Sequence, residues 1–181
     1  MERPPSAFVA QDLALPARLN GAAGEARAAL GRSLKNATAV LVASAQWETD
    51  LPMLSGTMRQ PTSLHVAQRA RNLLRIAGFA AGIDGRRGSA HAAWRPLLDS
   101  FPGIDLPMVE LSVQPSLGPA HHVSVGKALH ALREEGVLIL GSGGLADEDF
   151  LPFFVALGAA GEGAKPERFG GIESLQTYLF E

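Results

Sequence analysis

Short apolar or β-branched runs alternate along this chain with longer stretches of helical period, and that alternation confines it to a small set of folds. The run Ala39-Val40-Leu41-Val42-Ala43 is apolar at every position. A strand exposed on one side would alternate polar and apolar residues, so this run predicts a strand buried on both faces, as in a parallel sheet covered by helices. Ser6 to Ala10, Met108 to Val113, Val137 to Leu140 and Ser174 to Phe180 predict further strands, with Phe79 to Ile83 as another short one. Helices are predicted between them. The first spans about Ala22 to Leu34, with Asn36 as a cap. A second starts at Ser63, carries Val66, Ala70, Leu73, Leu74 and Ala77, and is ended by Gly78. A third runs from about Pro119 to Glu135 with Gly136 at its C-cap, and a fourth from Asp147 to Leu157. Asp50 to Pro61 and Asp84 to Ala90 carry Gly or Pro and read as surface loops. The expectation is an α/β fold, one domain over residues 1–181 with a mostly parallel central sheet and helices on both faces.

Composition narrows the function classes. With 181 residues and 46% hydrophobic content, the chain can bury one core and is too short for two ordinary domains. A net charge of -2 gives no electrostatic footprint for nucleic acid or an anionic membrane. The longest apolar runs, such as Phe150 to Ala160, are interrupted by Pro152 and Gly158 and fall short of a bilayer span. The start, Met1-Glu2-Arg3-Pro4-Pro5, lacks the basic and apolar regions of a secretory signal. There is no cysteine, hence no disulfide framework, thiolate metal site or cysteine nucleophile. A cytoplasmic protein is expected, with no nucleic-acid or membrane partner.

Ligands of open α/β sheets bind outside the carboxyl ends of the strands. The residues following the predicted strands are Gln11 and Asp12, Gln46 to Glu48, Gln114, and Gly141 to Gly144. Apart from Asp12 and Glu48 they are neutral, and none is a histidine. The histidines lie elsewhere. His121 and His122 are neighbours on a predicted helix and point about 100° apart, so they do not form a chelate. His65 and His130 read as solvated helix faces, while Trp47 and Trp94 read as core or pocket-floor aromatics. Gly141-Ser142-Gly143-Gly144-Leu145-Ala146 fits the dinucleotide pattern G-x-G-x-x-A, but follows the last strand but one and not the first, which argues against a nucleotide site.

Several motifs together resemble one known family. Ser44-Ala45-Gln46-Trp47-Glu48-Thr49 resembles the Ser-Ala-His-Trp-Glu-Thr motif of the class III extradiol ring-cleaving dioxygenases, aromatic ring-opening enzymes that include DOPA 4,5-dioxygenases. Gly88-Ser89-Ala90-His91-Ala92-Ala93-Trp94 is similar to the family's Gly-Leu-Asp-His-Gly-x-Trp, and Leu106 to Ser112 to its Ile-Pro-Val-Val-Gln-Leu-Ser. His122 to Leu129, Leu132 to Gly143 and Leu151 to Gly161 continue the likeness in the family's order.

The resemblance implies a metal site, and the ligand positions depart from it. The family's first histidine ligand falls on Gln11 and the second on Gln46. A third, which follows Gly-Ser-Gly in the family, has no counterpart. A fourth active-site histidine falls on Asp149. Extradiol cleavage needs a divalent metal, Fe(II) or in related sites Zn(II), held by imidazoles and a carboxylate with positions open for catecholate and dioxygen. Neutral amides are poor donors by comparison, so no bound cofactor is expected. Two segments that build the family's pocket are also missing, after about residue 50 and after about residue 144. The resemblance leaves His91 as the catalytic candidate, a hydrogen-bonding or proton-transfer group, with Trp47, Glu48 and Trp94 lining the pocket.

The expectation is therefore a catalytically degenerate relative of catechol-type ring-opening dioxygenases. Two alternatives stand beside it: an active enzyme with an unorthodox site built from His91, Asp149, Glu48 and Asp12, and a non-catalytic module for a small aromatic ligand or a partner subunit. Loss of the covering segments is expected to expose apolar surface near Trp47, Met53 and Leu54. That surface would favour a homodimer or a complex with a full-length relative.

Overall fold

A computed structural model describes residues 6–11, 31–32, 34–55, 61–87, 106–144, 150–169 and 175–180. The strands are β1 (Ser6–Gln11), β2 (Ala39–Glu48), β3 (Met53–Ser55), β4 (Gly82–Asp84), β5 (Met108–Val113), β6 (Val137–Gly143), β7 (Pro166–Phe169) and β8 (Leu175–Phe180). The helices are α1 (Pro61–Ile76), α2 (Gly118–Leu129), α3 (Ala131–Glu134) and α4 (Leu151–Ala160), with a 3-10 turn at Pro115–Leu117 before α2. The described residues of 31–36 are helical as well. The strands form one sheet of eight in the order β4-β3-β5-β2-β6-β1-β8-β7. Its centre, β5-β2-β6-β1, is parallel, and antiparallel pairings attach β3 on one side and β8 on the other. This is a single α/β domain with a mixed, mostly parallel sheet and helices packed on it, as the strand–helix alternation predicts.

The apolar run of β2 is explained by its place between β5 and β6. Ala39, Leu41 and Ala43 join Val109, Leu111, Val137 and Ile139 on one face. Against them pack Val66, Ala67, Ala70 and Leu74 of α1, Val125 and Leu129 of α2, and Val155 and Ala159 of α4. On the opposite face Val40, Val42, Met108, Leu138 and Leu140 are equally buried. Each such Val, Leu or Ile side chain contributes about 1.5–3 kcal/mol relative to exposure. The described helices account for the first face, and most of the helix predicted at 22–34 lies outside the described residues.

Helices α2 and α4 meet backbone to backbone. A Cβ on Gly126 would stand 2.1 Å from the Val155 carbonyl oxygen, and one on Gly158 would stand 2.1 Å from that of Val123. Any side chain larger than hydrogen at either position would force the helices apart.

The elements that differ from expectation have local causes. Met53–Ser55, predicted as loop, is a strand that pairs with β4 along its length and with β5 at Leu54, and serine hydroxyls add to its attachment to β5. Ser112 Oγ accepts from the Met53 N–H and Ser55 Oγ from the Glu110 N–H, each at 2.9 Å. Phe79, predicted to start a strand, closes helix α1. Its N–H reaches the Leu74 carbonyl while the Gly78 N–H reaches Arg75, with Gly78 at φ 92, the paired bonds of a Schellman ending. Only Gly82–Asp84 remains as strand β4. The single helix predicted over 119–135 divides at His130, whose N–H bonds to Lys127, a tighter turn than the α-helical one. Gly136 then reverses the chain at φ 85, a conformation that favours glycine, and a Cβ there would press on the Thr38 side chain at 3.0 Å. Helix α4 runs beyond Leu157 to Ala160, and its predicted cap Asp147 lies outside the described residues. Strand β7 was not expected.

Candidate functional site at the carboxyl edge

Register places the ends of the parallel strands side by side. Ser44 of β2 stands opposite Ser112 of β5 and Ser142 of β6, while Ala10 of β1 stands opposite Gly143 of β6. Gln11 and residues 45–48 thus occupy the same edge of the sheet. Between Ser44 and Glu48 the pairing with β5 advances only from Ser112 to Val113, so residues 45–47 bulge out of the ladder. Bulges re-aim side chains beside functional sites. Here Gln46 and Glu48 are exposed and Trp47 is buried. The bulge is pinned at its start, where the Gln46 N–H donates to Ser44 Oγ at 3.3 Å, and at its end, where the Thr49 N–H donates to the Val113 carbonyl. The remaining site candidates His91, Trp94, Asp149 and Asp12 lie outside the described residues, as does the Gln11 side chain.

Behind the bulge runs a polar network that sequence reasoning did not assemble. Gln114, the residue after β5, donates from Nε2 to the Ser112 carbonyl, Ser112 Oγ and Thr49 Oγ1. The Ser112 carbonyl can only accept, which fixes the amide orientation and turns Oε1 toward His121 Nε2 at 3.1 Å. His121 must then carry its proton on Nε2. Thr49 Oγ1 donates onward to the Leu51 carbonyl at 2.7 Å and accepts from Ser112 Oγ at 2.6 Å. His122, 1% exposed, is fixed in the other tautomer. Its Nε2 accepts the Gln114 backbone N–H at 3.1 Å, so Nδ1 holds the proton and donates to the Gly118 carbonyl at 2.7 Å. Burial pushes both imidazoles below the ordinary histidine range; for His122 the neighbouring His121 adds to this and the bond to Gly118 opposes it. The two rings meet edge to face at 5.1 Å, and Phe79 approaches His121 in the same way at 5.5 Å. The available sequence signal was a histidine pair in the first turn of a helix just after a strand-end glutamine.

A second cluster sits where Trp47 turns inward. Glu110 of β5, 2% exposed, accepts from Arg87 Nε at 2.9 Å and from Nη2 at 3.4 Å. The Arg87 guanidinium carbon lies 4.3 Å from the Trp47 ring centroid. Asp84 Oδ1 accepts the N–H groups of Arg86 and Arg87 and sets the turn that delivers this arginine. Trp47 is therefore a buried aromatic with a ring face covered by Arg87. Leu54 is fully buried and Met53 half-buried, so the apolar patch expected around Trp47, Met53 and Leu54 is not exposed. His130, expected on a solvated face, instead donates from Nδ1 to the Ala159 carbonyl at the end of α4, while His65 is exposed as expected.

These donors do not suit an iron site. Both ring nitrogens of His122 are committed to backbone groups, His121 Nε2 is engaged by Gln114, and Gln46 offers a neutral amide. Among the described residues no group of three or more His, Cys, Asp or Glu could hold a metal ion. Nor, among them, is any helix long and apolar enough to cross a membrane.

The α/β sheet, with its bulged central strand, presents polar residues at the edge where ligands of open α/β sheets bind. The chain belongs to the family of the 4,5-DOPA extradiol dioxygenases: it is 31% identical over 224 residues to the 4,5-DOPA dioxygenase extradiol of Beta vulgaris, a match covering 81% of this chain and 84% of that protein. The aligned span of 224 positions exceeds the 181 residues of this chain, so the relative carries segments without counterparts here. The 4,5-DOPA dioxygenase extradiol of Mirabilis jalapa is 38% identical over 125 residues, 58% of this chain and 47% of that protein, so in that match the chain spans about half the relative's length. A crystal structure of an uncharacterized protein from Escherichia coli K12 shares the fold, with a TM-score of 0.76 at 22% identity over 98% of this chain and 99% of that one. No protein-family model matches the chain.

Proposed function

We propose that this chain is a member of the extradiol dioxygenase family that no longer opens aromatic rings through imidazole-held iron and that keeps the carboxyl-edge site as a binding site for a small aromatic molecule. The observation that carries this reading is Gln46. It stands exposed on the β2 bulge at the strand-end edge, with Gln11 at the end of β1 on the same edge, and both are amides at positions where the family resemblance expects imidazoles. An amide oxygen holds Fe(II) far more weakly than imidazole does. Retention of a binding site is supported by the pinned bulge and by the fixed orientations of Gln114 and His121, a few placed polar groups beside apolar ones such as Phe79.

The test uses the full chain, purified and then supplied with Fe(II) under exclusion of air. Metal content is expected to stay well below one iron per chain, and addition of L-DOPA or protocatechuate in air should give no oxygen uptake above iron in buffer. Titration calorimetry with the same compounds should give saturable binding without metal. One iron per chain together with oxygen uptake would overturn the degenerate reading. In that event His91 becomes the first candidate for the proton-transfer group.

A further inference from the structure

Charge is distributed unevenly along this chain. Residues 51–98 hold seven arginines and a single acid, Asp84, whereas residues 99–181 hold twelve Asp or Glu against four Lys or Arg. Among the described residues, the basic stretch builds α1 and β4, and β4 is the terminal strand of the sheet. Helix α1 packs on β3, β4 and β5, with α2 beside it on the inner side. Its Arg69 is bridged at 2.8 Å to Glu135, next to α3, and so faces those neighbouring helices. At 100° per residue, Arg71 and Arg75 stand about 200° and 240° round the helix from Arg69, on the flank turned toward β4. Gln68 and Asn72 complete that flank, α1 holds no acid, and neither arginine has an acidic partner among the described residues. Like charges one turn apart repel, and Arg71 Nε is buried without an acceptor. Asp84, the one acid in the stretch, is taken up by the N–H groups of Arg86 and Arg87. The flank lacks an anion.

The strand beneath is open on the same side. Among the described residues β4 pairs with β3 alone. The Gly82 N–H points inward to the Pro52 carbonyl at 3.1 Å. Successive residues of a strand turn their backbone groups to opposite sides, so the N–H and C=O of Ile83 point out from the sheet edge. We propose that this edge, with Arg71 and Arg75 above it, is a docking surface for an extended acidic segment of another protein, which adds a strand beside β4 and sets alternate carboxylates against the two arginines. The spacings agree: side chains one helical turn apart stand about 5–6 Å apart at Cβ, and alternate residues of a strand about 6.6 Å. A second copy pairing through the same edge would bring its own Arg71 and Arg75 against these, so the charge selects an acidic partner. The proposal does not depend on what the carboxyl-edge site binds.

The probe is a fluorescein-labelled peptide, Thr-Glu-Thr-Glu-Thr-Glu, titrated against the full chain at low salt and followed by fluorescence anisotropy. Saturable binding is expected, weakened about tenfold when salt is raised to about 0.5 M. The double variant Arg71→Gln with Arg75→Gln should lose about tenfold in affinity, and a Thr-Lys peptide should not bind. Should the double variant fail to fold, Arg75→Glu at its exposed position serves, with a loss at least as large. Amide exchange followed by NMR reads the backbone: the peptide should slow exchange at Ile83 and leave Gly82, already bonded to Pro52, unchanged. No binding, or binding that the arginine substitutions leave untouched, would overturn the proposal. So would arginine-dependent binding without slower exchange at Ile83, since the edge would then take no part. A thymidine hexanucleotide that binds as tightly as the peptide, again without protection of Ile83, would show a general polyanion surface and overturn it too.

Discussion

His122 offers the sharpest test of the network that backs the site. Replacing it with Phe keeps a ring in the 1%-exposed space and deletes both polar contacts. The Gln114 N–H, now 3.1 Å from Nε2, would be left buried without an acceptor, at a cost of about 1–3 kcal/mol. Loss of the Nδ1–H bond to Gly118 adds about 0.5–1.5 kcal/mol. A central total of about 3 kcal/mol corresponds, in a chain of this size, to a Tm lowered by roughly 6–12 °C. His122→Gln should recover part of this, because its side-chain oxygen can accept the same N–H. The pH dependence gives an independent reading. Burial holds the folded His122 below the ordinary value near 6.5, so between those two values the unfolded chain binds more protons than the folded one. Its contribution to stability is complete above about pH 6.5 and is lost as pH falls below that. His121 is shifted in the same direction for the same first reason. Urea unfolding followed by circular dichroism at pH 7.5 and 5.5 should therefore show the wild type losing stability on acidification and the His122→Phe variant losing less. A variant within a degree of the wild-type Tm, or one with an equal pH slope, would refute the assignment of Nε2 as an obligatory acceptor.

Two further predictions concern the helices that seat the network. Gly126→Ala places a Cβ 2.1 Å from the Val155 carbonyl oxygen and should destabilise by about 1–3 kcal/mol or more, measured by urea unfolding. The reciprocal Gly158→Ala should cost a similar amount, and the double variant less than the sum, since one separation of the helices relieves both contacts. Arg133→Met removes buried bonds from Nη1 to the carbonyls of Ala159 at 3.0 Å and Ala160 at 2.8 Å; about 1.5–3 kcal/mol of destabilisation is expected, with faster amide exchange confined to the last turn of α4.

The strands that run through the core were legible because burial on both faces leaves a continuous apolar run, as at Ala39 to Ala43. Met53–Ser55 was not, because its partners, β4, Leu111 of β5 and the Ser112 hydroxyl, all come from distant parts of the chain. Phe79 misled for a similar reason: a β-forming residue was drafted into a helix ending by the glycine before it. At the site, the strand-end rule located Gln46 and Gln114. It could not find the tautomers of His121 and His122, which follow from which atom of Gln114 faces which ring. Nor could it pair Arg87 with Glu110, 23 residues on, since β3 lies between β4 and β5 in the sheet and the turn after β4 carries Arg87 past it.

On the function proposed above, the bulge in β2 is what would let a family site change its chemistry while keeping its shape. Its position is held by bonds that involve no metal: Gln46 N–H to Ser44, Thr49 N–H to Val113, Thr49 Oγ1 to Ser112, and the Trp47 ring under Arg87. An imidazole replaced by an amide on the exposed side of such a bulge removes a ligand without removing a support. The resemblance places a neutral glutamine where Glu110 stands, and here that position is a buried carboxylate paired with Arg87. A carboxylate buried to this degree is stable only while paired, so Glu110 binds the chain to keeping a cation beside Trp47.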